Sequence, residues 1–213
     1  MQYKAEALIL RTYPLGESDR IVVFLTRDRG KKRGVAKNAR QSRRRFGGAL
    51  EPMTHGRVGY VERERRELVF LSYVEPLRSP LAALEADALS YVGYFAELID
   101  EWAPEADPNE TLFRLGASIV DALAAGVPID PLARYFEFWL MRLQGVYQPD
   151  PRTSPAAQAF LDAARRCSPF ALTGGSASRD TLRELEASHR AMMAAHLDKE
   201  LRSVKVLREM RRA

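Results

Sequence analysis

Cysteine is nearly missing from this chain: Cys167 is the single one in 213 residues. No internal disulfide can form, which excludes the stapled extracellular scaffolds and fits a reducing compartment. Long apolar runs are missing too. Nothing approaches the ~20 apolar residues of a membrane-spanning helix, and the opening MQYKAEALILRTYPLGESDR carries only a short strand-like run without a small-residue cleavage site. The expectation is a soluble, cytoplasmic protein with no membrane partner.

Catalytic signatures are equally scarce. The sequence has no G-x-x-x-x-G-K-[ST] phosphate loop, no G-x-G-x-x-G dinucleotide turn and no G-x-S-x-G nucleophile elbow. His55, His189 and His196 are the only histidines and they are dispersed; zinc normally takes four closely spaced ligands, so these with Cys167 make a poor set. Arg165 and Arg166 give Cys167 positive neighbours but no general base. Glu62, Glu64 and Glu67 alternate with Arg63, Arg65 and Arg66 and cancel in charge, as a solvated hairpin turn does. No catalytic residue, metal ligand or cofactor is assigned, and the chain reads as a non-enzyme.

What is abundant is positive charge, unevenly placed. The formal net charge of +5 hides +9 in residues 1–80, −7 in 81–180 and +3 in 181–213. Residues 27–45, RDRGKKRGVAKNARQSRRR, hold ten lysines and arginines against the single acid Asp28. Such a strip repels itself unless a polyanion or an acidic partner meets it, and the planar fork of arginine suits bidentate phosphate contacts. Lys31, Lys32, Arg33, Lys37, Arg40, Arg43, Arg44 and Arg45 are the candidate nucleic-acid contacts. No recognition helix is visible, so binding is expected to follow the backbone and ignore sequence. Tyr13, Phe24, Phe46, Tyr60, Phe70 and Tyr73 either stack bases or fill a core, and the core is the commoner use.

Hydrophobic patterning divides the chain. Residues 5–13, 20–26, 32–37, 53–61 and 67–74 are short segments rich in Val, Ile, Leu, Phe and Tyr, which predicts strands. The expected fold class is α+β: a five-stranded Greek-key barrel of the OB type, with room for a short helix in 40–52, followed by an α-helical bundle. Ser79-Pro80, Asp107-Pro108, Asp130-Pro131 and Ser154-Pro155 each pair a capping side chain with a proline suited to the first helical position. Asp107 with Glu110 reads as a capping box. Helices are predicted over 80–102, 108–125, 131–143, 155–167 and 179–211, the last broken near 196–199. The implied domains are 1–78 and 79–213, with Pro/Gly/Ser-rich loops at 145–154 and 168–178. Leu132, Tyr135, Phe136, Trp139, Leu140 and Leu143 fall at helical spacing, a core stripe or, less commonly, a groove for a partner peptide.

Residues 6–53 resemble the N-terminal domain of the RecO family of recombination mediators. The similarity lies in the Leu-Ile-Leu-Arg-Thr strand, the Gly16-Glu17-Ser18-Asp19 turn, Leu25-Thr26 before Gly30, Val35-Ala36-Lys37, and the arginine-rich loop leading into Phe46-Gly47-Gly48-Ala49-Leu50-Glu51-Pro52. Asp198-Lys199-Glu200-Leu201-Arg202-Ser203 looks like the C-terminal lysine/arginine-serine helix of that family. The resemblance implies a nucleoid-associated DNA repair protein that binds single- and double-stranded DNA and anneals complementary strands. It further implies assistance to RecA, indirectly, on DNA coated by single-strand-binding protein, with RecR as partner. Some members contact the acidic tail of single-strand-binding protein through the helical domain; here Arg134, Arg142, Arg202 and Lys205 are candidates by charge alone.

Two features depart from the family pattern. Many relatives carry a four-cysteine zinc module where this chain, over 145–178, keeps Phe170 and Gly174-Gly175 but only Cys167. The frequent Ala-Lys-Gly appears as Ala36-Lys37-Asn38, and asparagine tolerates left-handed backbone angles. The rival readings are an RNA-binding or translation-associated OB protein and a protein-interaction adaptor for an acidic partner.

Overall fold

Every predicted strand forms, in the predicted order: β1 (Gln2–Leu15), β2 (Asp19–Thr26), β3 (Gly30–Ala36), β4 (His55–Val61) and β5 (Val69–Arg78). The computed structural model describes residues 1–64, 66–80 and 86–210. The first half of β1 pairs with β4 and its second half with β2, and a register shift between Ile9 and Arg11 marks the bend between them. The strands close into a barrel in the order β1-β2-β3-β5-β4, with β3 and β5 parallel and the other pairs antiparallel. The architecture is α+β with an OB-type barrel.

Alternation along the strands sorts side chains into two cores. Ala7, Ile9, Val22, Phe24, Val58, Tyr60 and Leu71 fill the barrel, closed from one end by Phe46, Ala49 and Leu50. Leu8, Leu10, Val23 and Leu25, the alternate residues, join the apolar core of the helices. Both faces of β1 and β2 are therefore buried here, which explains why Ala7 to Leu10 and Val22 to Leu25 read as unbroken apolar runs.

The helices are α1 (Ala86–Trp102), α2 (Glu110–Ala124), α3 (Ile129–Leu143), α4 (Pro155–Ala164), α5 (Arg179–Leu197) and α6 (Arg202–Met210). Among the described residues no helix is long and apolar enough to cross a membrane. Helix α3 runs through the middle of the bundle and buries every residue from Pro131 to Phe138. Ser154 caps α4 as expected, its side chain accepting from the Ala157 N–H, and α5 breaks at Asp198, which takes a left-handed φ of 50°.

Three local expectations are corrected. Asn109, not Asp107, caps α2 by accepting from the Leu112 N–H at 2.9 Å, so Glu110 is the first helical residue and no capping box forms. Helix α3 starts before Pro131, with Pro128 at the cap position; Asp130 lies inside the first turn, where it accepts from the Tyr91 hydroxyl at 3.1 Å. The stretch 40–52 makes successive turns rather than a helix. Gly47, with a left-handed φ of 45°, and Gly48 lower helix propensity there, and Phe46 is spent on the barrel core. The start of the first helix at Ser79-Pro80 leads into residues outside the described ones.

Candidate nucleic-acid interface

The basic run divides cleanly into a neutralised half and an unneutralised half. Arg27 meets Glu110 at 2.7 Å and Glu6 at 3.4 Å, Arg29 meets Asp28 at 3.7 Å, and Lys32 meets Glu62 at 2.7 Å. Arg33 meets Glu105 at 3.0 Å. Lys31 is 8% exposed: its Nζ lies 3.2 Å from Asp100 Oδ1 and donates to the Asp100 carbonyl at 2.5 Å. Asp100 belongs to α1, and Arg11 of β1 approaches the same carboxylate at 3.5 Å. Burial pulls the Arg11 guanidinium down, but its hydrogen bond to the Tyr13 hydroxyl and the Asp100 and Glu97 carboxylates outweigh that and hold its pKa above the ordinary value. Lys31 is thereby nearly buried on an anionic partner, and Lys32 and Arg33 already have theirs.

Beyond β3 the pairing stops. Among the described residues Lys37, Arg40, Arg43, Arg44 and Arg45 form no ion pair, and all but the half-buried Arg45 are exposed. Their loop is nevertheless held in place. Arg40 Nη1 donates to the Glu17 carbonyl at 3.1 Å, and Arg45 donates to the Lys37 carbonyl at 2.7 Å and to Ser42 Oγ at 2.9 Å. Asn38 adopts a left-handed φ of 52° and its N–H donates to Asp19 Oδ1 at 2.8 Å, which ties the loop to the β1–β2 turn. Phe46, Ala49 and Leu50 anchor it in the barrel. The result is a pinned loop between β3 and β4 that projects cations into solvent.

Two further cations join it, and charge counting along the sequence hides them. Arg63 and Arg66 stand in the β4–β5 connection with their guanidinium carbons 4.9 and 5.7 Å from the Phe70 ring centroid, and Lys37 Nζ lies 5.6 Å from the same centroid. Cancellation against Glu62 fails because Lys32 has taken that carboxylate. Of the aromatic candidates, Phe24, Phe46 and Tyr60 are buried, and burial pushes the Tyr60 hydroxyl up to about 12. Tyr13 is 39% exposed beside Arg11, and Phe70 and Tyr73 are half-buried.

Residues 1–80 match the family described as Recombination protein O N terminal, and residues 84–152 match Recombination protein O C terminal. A Geobacter sulfurreducens protein named DNA repair protein RecO is 36% identical over 168 residues, covering 76% of this chain and 67% of that protein. The chain belongs to the RecO family. Proteins of the same name from Koribacter versatilis and Anaeromyxobacter sp. (strain K) are 48% and 40% identical over 153 and 166 residues, 70% and 77% of this chain. In both cases the match spans 61% of the relative, so the chain covers about three-fifths of the curated relatives' length. Within the family frame, the unpaired loop 37–45 falls in the N-terminal match, while α4, α5 and α6 follow residue 152, where the second match ends.

The helical candidates are not brought together. Arg134 is 3% exposed and sits in a buried network, 2.7 Å from Glu137 Oε1 and 3.3 Å from Glu186. Glu137 also accepts from the Tyr94 hydroxyl at 2.7 Å and pairs with His189 Nδ1 at 3.0 Å. Burial and the adjacent Glu137 push the Tyr94 hydroxyl well above its ordinary value. The network centred on Glu137 thus joins α1, α3 and α5 from within. Arg142 is exposed and lies over Phe138 and Trp139 at 5.5 and 5.7 Å. Arg202 and Lys205 are exposed on α6, where Lys205 Nζ lies 3.8 Å from Glu200. Around the cysteine-poor stretch 145–178, packing organises the chain: Trp139 Nε1 donates to the Ala164 carbonyl at 3.0 Å, the Tyr135 hydroxyl donates to the Cys167 carbonyl at 3.3 Å, and the Phe138 and Tyr147 rings meet edge-on at 5.0 Å.

Proposed function

We propose that this chain is a non-enzymatic DNA repair and recombination mediator that holds single- and double-stranded DNA by its phosphates, through the loop from Lys37 to Arg45 together with Arg63 and Arg66. The single observation that carries this reading is the absence of any ion pair at these seven cations among the described residues, against complete pairing of the five that precede them. A strip of unneutralised charge on a pinned loop gains most from a polyanion, which releases condensed counterions as each phosphate is met. Family membership supports DNA as that polyanion. Annealing follows from the same contacts: a strand held by its phosphates leaves its bases free, and the neutralised backbone lets a complement approach. Assistance to RecA on DNA coated by single-strand-binding protein, with RecR, is the fuller role to which this activity belongs.

The test is the salt dependence of binding to single strands. Five to seven phosphate contacts predict that log K falls with log salt at a slope of about −3.5 to −5. Replacing Arg43, Arg44 and Arg45 together by alanine is expected to weaken single- and double-stranded DNA alike, by about 50-fold near 0.15 M salt for three lost contacts to a single strand, and to slow annealing. Salt-independent binding, or a triple variant with full affinity, refutes the assignment.

A further inference from the structure

The half-buried Phe70 ring has three of the unpaired cations around it. Phe70 sits on β5 between Val69 and Leu71, both buried in the barrel, and registers against Val35 of β3, so it belongs to the outward face. Lys37, Arg63 and Arg66 surround it at 4.9 to 5.7 Å from the ring centroid, and among the described residues none of the three has an ion pair. The ring quadrupole attracts each cation, but three like charges crowd one π system without an anion between them. A nucleotide answers both halves of this arrangement: its phosphate takes the cations and its base supplies a flat surface for the ring once the arginines swing outward.

Resting on the DNA-binding reading above, we propose that Phe70 is a base-stacking platform for an unpaired nucleotide, and that it makes this surface discriminate single-stranded from double-stranded DNA. Phosphates are presented by both forms, so the loop arginines serve either. Only a single strand offers an open base face; in a duplex both faces of each internal base are covered by its neighbours. The aromatic and cationic parts of the site therefore have separable tasks, strand type for Phe70 and general affinity for Arg43 to Arg45.

The experiment compares Phe70→Leu and Phe70→Trp with the parent chain, on oligothymidylate and on a duplex of equal length. Phe70→Leu is expected to weaken oligothymidylate binding roughly 5- to 150-fold while leaving duplex affinity within about twofold. Phe70→Trp is expected to keep tight single-strand binding, with a fluorescence quenched by oligothymidylate and not by duplex. Equal losses on both substrates, no loss on either, or an introduced indole whose fluorescence is indifferent to single strands overturns the stacking role; if the leucine variant does not fold, the tryptophan variant decides. Failure of the underlying reading looks different: the Arg43, Arg44, Arg45 triple alanine variant then binds both substrates as the parent does.

Discussion

If ion pairing divides the basic run, Lys31 and Arg44 must fail in opposite assays. Lys31→Met removes an ammonium that lies 3.2 Å from Asp100 Oδ1 and 2.5 Å from the Asp100 carbonyl, at 8% exposure. Removing one partner of a buried pair costs roughly 3–5 kcal/mol. Here Asp100 keeps Arg11 at 3.5 Å, and methionine preserves the apolar stem, so the expected cost is about 2–3 kcal/mol. Arg44 is exposed with no partner among the described residues, and Arg44→Ala is expected to change stability by no more than about 0.5 kcal/mol. For DNA the order inverts. One lost phosphate contact to a single strand removes about 0.7 from the salt slope, which near 0.15 M salt is about a fourfold loss of affinity. Urea unfolding and fluorescence anisotropy with oligothymidylate measure the two quantities on the same preparations. Lys31→Met should lower the urea midpoint and leave the affinity of the folded protein within about twofold, while Arg44→Ala should do the reverse. A Lys31→Met chain of parental stability that binds DNA as weakly as Arg44→Ala would refute the division, because it would put the Lys31 charge on the ligand side.

Two other positions test how the helices are held. Glu97 of α1 takes the place of a cap for α6, accepting from the Arg202 N–H at 3.1 Å, the Ser203 N–H at 2.7 Å and Ser203 Oγ at 2.5 Å. Burial raises its pKa, but these hydrogen bonds and Arg11 outweigh burial and hold Glu97 below the ordinary carboxylate value. A depressed folded pKa means stability that is present above the unfolded value near ~4.3 and lost as pH falls through the folded one; hydrogen exchange should accelerate in α6 first below about pH 4, and a Glu97→Ala chain should show that loosening already at neutral pH. Glu137→Ala strips Tyr94, Arg134 and His189 of their shared acceptor and leaves Arg134 with Glu186 at 3.3 Å; a loss of roughly 3–5 kcal/mol in urea unfolding is expected, and a loss under about 1 kcal/mol would show that the network relaxes around water.

The fold was legible because strand alternation and apolar runs are local signals. Phe24 and Tyr60 read correctly as core from their place in apolar strands, and Asn38 took the left-handed turn that its side chain permits. Helix starts misread where two capping residues compete within three positions: Asp107 and Asn109 both suit the role, and only the packing of Leu112 and Phe113 on the core decides which one aligns. The site was legible as a region and not as residues. Nothing in the order Lys31, Lys32, Arg33 says that Asp100 and Glu105, about seventy residues on, will meet the first and third. Arg63 and Arg66 were hidden by the neighbouring glutamates, since cancellation along a sequence assumes that charges adjacent in the chain are adjacent in space. Arg134 is a candidate by charge alone, and charge alone does not show its burial, because its partners lie three residues away on its own helix and on α5, two helices further along.

The same pairing explains what the dipolar charge distribution does. Arg11, Arg27, Lys31, Arg33 and Arg78 of the barrel side meet Glu97 or Asp100, Glu110, Asp100, Glu105 and Asp121 of the helical side. Much of the acidic excess of the helices is therefore consumed at the junction, and within residues 27–45 the cations left without an ion pair among the described residues are those that follow β3. The Arg27, Arg33 and Arg78 pairs are exposed and are weakened by salt, but each such pair is worth only ~0–1 kcal/mol. The continuous apolar core that joins Leu8, Leu10, Val23 and Leu25 to α1 and α2 is not weakened, and the buried Lys31–Asp100 pair is screened least. Raising salt should accordingly dissociate DNA without separating barrel from helices, so the salt slope of binding counts phosphate contacts on the loop and not the loosening of the protein that presents it.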